Sequence, residues 1–212
     1  MLSLHHFTFN PFQENTYILA DEHGDCWIID PGCYEKDEQR ELFDFIESKG
    51  LKPVKLINTH CHIDHVLGNA AVKRQYNIPL YIHPIEEHYL NAVQTYAPNY
   101  GFAAYESTTP DEFIEVNKTM TLGQTNVKFL FVPGHSAGHV ALYVESQNLC
   151  IAGDVLFKQS IGRTDLPGGN HQQLLNSVRN ELFTLPGNTV VYPGHGPSTT
   201  IEFEKKHNPY FS

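Results

Sequence analysis

Four metal-capable side chains fall within six residues: His60, His62, Asp64 and His65, directly after the apolar-rich stretch 54–58. Neutral imidazole and carboxylate together suit zinc and other first-row metals. If the chain is extended here, His60 and His62 project to one side and Cys61 to the other, because side chains alternate along a strand. Asp64 and His65 then fall where the chain turns into a helix, facing a second point in space. The spacing predicts a site for two metal ions.

The same local design recurs three times: a β-rich run, a glycine, then a metal-capable side chain. Residues 127–132 lead to Pro133, Gly134 and His135. Residues 149–152 lead to Gly153 and Asp154, and residues 189–192 to Pro193, Gly194 and His195. Glycine lets a backbone turn sharply and approach closely where a strand stops. Four strand ends carrying ligands are expected to converge on one edge of a sandwich.

The run from Thr59 to His65, with His135, Asp154 and His195 in Pro193-Gly194-His195-Gly196-Pro197, resembles the metallo-β-lactamase superfamily. Within it the chain is most similar to short, glyoxalase II-like (hydroxyacylglutathione hydrolase-like) proteins, through Ser160-Ile161-Gly162-Arg163-Thr164-Asp165 and the closing His207-Asn208-Pro209. The resemblance runs from Asn15-Thr16-Tyr17 through Ile29-Asp30-Pro31-Gly32 to the C-terminus. It implies an α/β fold, a four-layer αββα sandwich of two mixed β-sheets flanked by helices, as one domain over residues 1–212. It implies a first metal on His60, His62 and His135, a second on Asp64, His65 and His195, and Asp154 bridging the two. Asp64 and Asp154 are then the catalytic carboxylates around a metal-bridging hydroxide. Flavodiiron proteins carry glutamate where this chain has His62, which disfavours that branch.

The activity implied is hydrolysis of a thioester such as S-lactoylglutathione. Two ions ~3.5–4 Å apart lower the pKa of a bridging water toward about 7. Zinc is the default, with iron or manganese as other options. Longer glyoxalase II enzymes add a C-terminal helical domain that holds glutathione. None is expected within this chain, so the thiol carrier stays open. Persulfide dioxygenases share the fold and use one iron on positions matching His60, His135 and Asp154, and a lactonase or other ester hydrolase is a nearer variant.

Other residues admit two readings each. Arg163 either grips a substrate carboxylate as a fork or pairs structurally with Asp165. Tyr100 and Tyr105, in an aromatic stretch with Tyr96 and Phe102, either line a substrate pocket or belong to a covering loop. Asp30 either orients a ligand histidine or is a turn residue, and His139 is expected in packing or support.

Positioning elements follow from periodicity. Strands are expected near 4–10, 15–20 and 26–30, and helices over 37–48, 64–76, 85–93, 171–183 and 200–207. Asn170 is a candidate N-cap. The 212 residues suffice for a sizeable core, and 14 Lys and Arg against 24 Asp and Glu give a net charge of −10. That balance argues against nonspecific nucleic-acid binding, which needs cations for phosphates. No stretch reaches the ~20 apolar residues that span a bilayer, and the N-terminus lacks a signal-peptide pattern. Cys26, Cys33, Cys61 and Cys150 form no C-x-x-C pair, as expected of reduced thiols in a cytoplasmic protein acting on a small molecule. The sequence sets no oligomeric state.

Overall fold

The first two strands differ in character. β1 (Ser3–Phe9) is largely exposed or half-buried, as an edge strand with a wet face must be, whereas β2 (Glu14–Ala20) is buried throughout. The computed structural model describes residues 1–116 and 118–211. These form two compact units, residues 1–114 with 122–124, and the remaining described chain from Glu115 onward.

The first unit is built on a six-stranded mixed sheet in the order β1-β2-β3-β4-β5-β6, with β3 (Asp25–Ile29), β4 (Lys52–Ile57), β5 (Leu80–Ile82) and β6 (Glu112–Phe113). The first two pairings are antiparallel and the next three parallel. Parallel neighbours need crossovers, commonly helical. Here α1 (Lys36–Ser48) joins β3 to β4, α2 (Ile63–Val66) and α3 (Asn69–Tyr76) join β4 to β5, and α4 (Glu86–Tyr96) follows β5. The apolar face of α1, Leu42 and Ile46 with Phe43 and Phe45, packs on a core containing Ile18, Ile28, Leu56 and Leu80.

One expected helix is two. The run 64–76 breaks at Leu67-Gly68, where the Gly68 N–H donates to Pro31 O at 2.7 Å. A Cβ at Gly68 would stand 2.6 Å from Cys33 Sγ and 2.8 Å from Pro31 O. The helical backbone lies against the turn after β3, and that tertiary contact overrides the periodicity.

The second unit carries a six-stranded mixed sheet, β14-β13-β10-β9-β8-β7, with β7 (Thr119–Leu122), β8 (Thr125–Phe131), β9 (Val140–Val144), β10 (Leu149–Gly153), β13 (Val190–Pro193) and β14 (Thr199–Thr200). A separate hairpin, β11 (Leu156–Phe157) and β12 (Ser160–Ile161), follows β10. β10 and β13 are parallel, while β9 is antiparallel to both β8 and β10. β8, β10 and β13 therefore point the same way and end on one sheet edge. Helix α5 (His171–Asn180) is capped by Asn170, which accepts the Gln173 N–H at 2.9 Å. It ends before the expected residue 183, giving way to a 3-10 turn over Leu182–Thr184. Leu174, Val178 and Leu182 seal the core, joined by Ile201 from α6 (Ile201–His207). Among the described residues no helix is long and apolar enough to cross a membrane.

Candidate metal centre

In the first unit the candidate ligand residues follow β4. His60 and His62 share a side, their ring centroids 4.8 Å apart, while Cys61 is buried in the core cluster. β4 has already ended at Ile57 and the chain bends at residues 59 and 60, so the two imidazoles meet in the loop after the strand rather than by the expected strand alternation. Asp64 and His65 lie in α2, with His65 Nε2 3.6 Å from Asp64 Oδ2.

Asp30, just past β3 and in the left-handed region at φ 50°, ties this set together. Its Oδ1 accepts the Thr59 N–H at 2.7 Å, and its Oδ2 accepts the Thr59 hydroxyl at 2.6 Å. His65 Nδ1 lies 3.2 Å from the same Oδ2. A carboxylate oxygen accepts, so His65 carries its proton on Nδ1 and presents Nε2. Thr59 spends its one proton on Asp30 and so accepts from His60 Nδ1, 3.1 Å away, which leaves His60 Nε2 as a lone pair. Asp30, His60 and His65 themselves offer atoms within 4.8 Å of one another. We read Asp30 as support rather than ligand, because both its oxygens already serve Thr59 and His65.

Glu14 lies fully buried beside this group, with Oε1 3.8 Å from His65 Nδ1. Burial, above all, pushes its carboxyl well above the ordinary range. Its Oε2 meets the Thr16 hydroxyl, which also contacts Asp30 O and accepts the Gly32 N–H, each at 2.9 Å. Glu86, the first residue of α4, accepts the Cys61 N–H at 2.8 Å.

In the second unit His135 follows β8, Asp154 follows β10 and His195 follows β13, all on the shared sheet edge. Asp154 Oδ2 lies 3.6 Å from His135 Nε2 and 3.4 Å from His195 Nε2. His135 Nδ1 lies 2.8 Å from Arg163 O. A carbonyl only accepts, so here too Nε2 carries the lone pair. His139 Nε2 accepts the Asp154 N–H at 3.1 Å, which makes it a support for that carboxylate. Gly162 makes these contacts possible: a Cβ there would fall 1.9 Å from Asp154 O and 3.1 Å from His135 Nδ1.

The spacings fit a metal. Separations of 3.4–3.6 Å are long for a hydrogen bond. Two ligands each about 2.0–2.1 Å from one tetrahedral ion stand about 3.4 Å apart.

The remaining predicted residues are placed as follows. Arg163 grips Asp165 as a fork, Nε to Oδ1 at 2.7 Å and Nη2 to Oδ2 at 2.8 Å, both side chains largely exposed. That fork holds the Asp165 carboxyl down at about 2. Tyr100 is 55% exposed, with the Tyr96 ring 5.9 Å and the Phe12 ring 6.3 Å away. Tyr105 is half-buried against the first unit's core, its hydroxyl inside. Sequence reasoning missed Thr59, Glu14, Glu86 and Gly162 as parts of the site. Only Thr59 and Gly162 had a local signal, each adjoining a residue already singled out.

Comparison with known proteins shows the family. The family model for the metallo-beta-lactamase superfamily matches residues 9–195. A probable metallo-hydrolase of Bacillus subtilis, YqgX, is 37% identical over 203 residues, covering 95% of this chain and 94% of that protein. The hydroxyacylglutathione hydrolase GloC of Haemophilus influenzae is 31% identical over 203 residues, with 95% and 94% covered. Among solved structures, the BLEG-1 B3 metallo-beta-lactamase superposes with a TM-score of 0.90 at 35% identity, covering 99% of this chain and 100% of that one. TTHA1623 in a di-iron-bound form gives 0.87 at 34%, covering 97% and 99%. With nearly its whole length matched by the family model and by relatives above 30% identity, the chain belongs to the metallo-beta-lactamase superfamily.

Proposed function

We propose that the two ligand sets act together as one domain holding two divalent cations, and that the protein hydrolyses thioesters of the S-lactoylglutathione type. His60, His62 and His135 would hold one ion, Asp64, His65 and His195 the other, with Asp154 shared. The observation that carries this reading is Asp154 Oδ2, which stands beside the Nε2 atoms of both His135 and His195. One carboxylate oxygen flanked by a ligand of each ion is what a bridging group requires. Such ions supply a water nucleophile of lowered pKa and polarise the acyl carbonyl.

The chain's own residues do the rest. Asp30, Thr59 and the Arg163 carbonyl hold three imidazoles in the Nδ1–H tautomer, so that Nε2 faces the ligand position. Asp64 and Asp154 bring negative charge beside the reacting atoms. A thiol with pKa about 8.5 departs as thiolate without a strong general acid.

The likeness to GloC supports the thioester class. Zinc is the first choice of metal, and the di-iron form of TTHA1623 keeps iron beside it, with manganese a further option. Four free, buried cysteines fit a reducing, cytoplasmic setting. We expect neither nucleic acid nor membrane as partner. The likeness to BLEG-1 makes β-lactam hydrolysis the reading to test beside it, with lactone hydrolysis and one-iron persulfide oxidation as the other variants. Initial rates on S-lactoylglutathione, a lactone and a β-lactam, with oxygen uptake on glutathione persulfide, separate these. The thioester should be turned over fastest, without oxygen uptake. Oxygen uptake with no hydrolysis would replace the proposal by the dioxygenase.

A further inference from the structure

Glutamate is rarely fully buried unless it is paired, yet Glu86 has no exposed surface. The chain leaves β5 at Ile82, turns through His83 and Pro84, and enters α4 at Glu86, whose own N–H donates to His83 O at 2.9 Å. A carboxylate in the first turn of an 11-residue helix lies where the helix dipole favours negative charge. Its Oε2 accepts the N–H of Cys61 at 2.8 Å.

Cys61 is the residue between His60 and His62, beyond the end of the β4 ladder. Its side chain is fully buried in the first unit's core cluster. The peptide at position 61 is thus held twice, by a side chain locked in the core and by an N–H held on Glu86. With both fixed, the peptide that links the two imidazoles is held in place, and their ring centroids stand 4.8 Å apart. Asp30 holds Thr59, whose hydroxyl in turn meets His60 Nδ1 at 3.1 Å.

We infer that Glu86 is a positioning residue of the metal centre, its carboxylate holding the Cys61 peptide so that His60 and His62 aim at one ion. The inference rests on the metal reading above. It acts through an acceptor atom, so an amide should replace the carboxylate and an alkyl group should not.

The test is zinc affinity by chelator competition for wild type, Glu86→Gln, Glu86→Leu and Glu86→Asp, with thermal melts of each metal-free protein. Glu86→Gln should bind zinc within about threefold of wild type. Glu86→Leu should bind about tenfold or more weakly while still melting cooperatively. If the leucine variant does not fold, Glu86→Asp carries the test, because it keeps the charge but withdraws the acceptor by one methylene, and the same loss is expected. A folded leucine or aspartate variant with wild-type affinity would overturn the inference, as would a glutamine variant as weak as leucine. Wild-type protein that binds no zinc, iron or manganese would overturn the metal reading itself, and this inference with it.

Discussion

The candidate ligand histidines are defined as much by the nitrogen that meets a supporting group as by the one left with a lone pair. Asp30 serves His65 directly and His60 through Thr59, while a backbone carbonyl serves His135. The candidate ligands stand out in the sequence because their types cluster within a few residues of strand ends. Their supports were legible only in part. Asp30 lies 29 residues from Thr59 and 35 from His65, and Arg163 lies 28 from His135. Nothing local announces such pairings, and Asp30 read equally well as a turn residue. Asparagine also tolerates the left-handed backbone, so Asp30→Asn keeps the turn while removing the carboxylate. Zinc affinity measured by chelator competition should fall 10–100-fold. Wild-type affinity in that variant would remove Asp30 from the site.

At the scale of elements, short pieces hold the second ligand set. The β11–β12 hairpin places the Phe157 ring 6.3 Å from the His195 ring and leads into Gly162 and Arg163. It is pinned from α6 by buried Glu204, which accepts the Gln159 N–H at 2.9 Å, the Asn208 amide at 2.8 Å and the Thr199 hydroxyl. Strands of two residues leave no periodic trace, and Glu204 lies 45 residues from Gln159, so neither hairpin nor clamp could be read in advance. Glu204→Ala strands several buried donors and should cost on the order of 3 kcal/mol in urea unfolding of the metal-free protein. A loss well under 1 kcal/mol would show that the clamp does not bear on stability.

A second tie, in the first unit, is pH-dependent. Burial alone would raise the Asp111 carboxyl, but the Leu80 N–H at 2.7 Å and the Lys73 ammonium outweigh it and hold it below its ordinary value. A depressed carboxyl stabilises the fold above its unfolded pKa, and that contribution fades as pH falls through the folded one. The urea midpoint of the metal-free wild type should exceed that of Asp111→Asn at pH 6. The gap should close as pH falls from about 4 downward. A gap that ignores pH would contradict the pairing.

For the whole molecule, the repeated strand–glycine–ligand design carried most of the information. It placed His135, Asp154 and His195 on strand ends, and β8, β10 and β13 indeed finish on one edge. Both sheets are mixed and flanked by helices, as the class requires. What periodicity could not show was the break of the 64–76 helix at Gly68, which comes from contact with the turn after β3. In a chain of net charge −10, three of the candidate ligand imidazoles carry tautomer-fixing supports. Lone pairs fixed at Nε2 in this way fit the cations proposed above.

The most direct test is therefore metal content per chain on freshly purified wild type and His195→Ala, with S-lactoylglutathione hydrolysis followed on the same samples. Two ions per wild-type chain with turnover are predicted, falling toward one ion and losing most hydrolysis in the variant. Unchanged hydrolysis in His195→Ala, or a wild type that turns over the thioester after its metal is stripped, would contradict the two-metal mechanism.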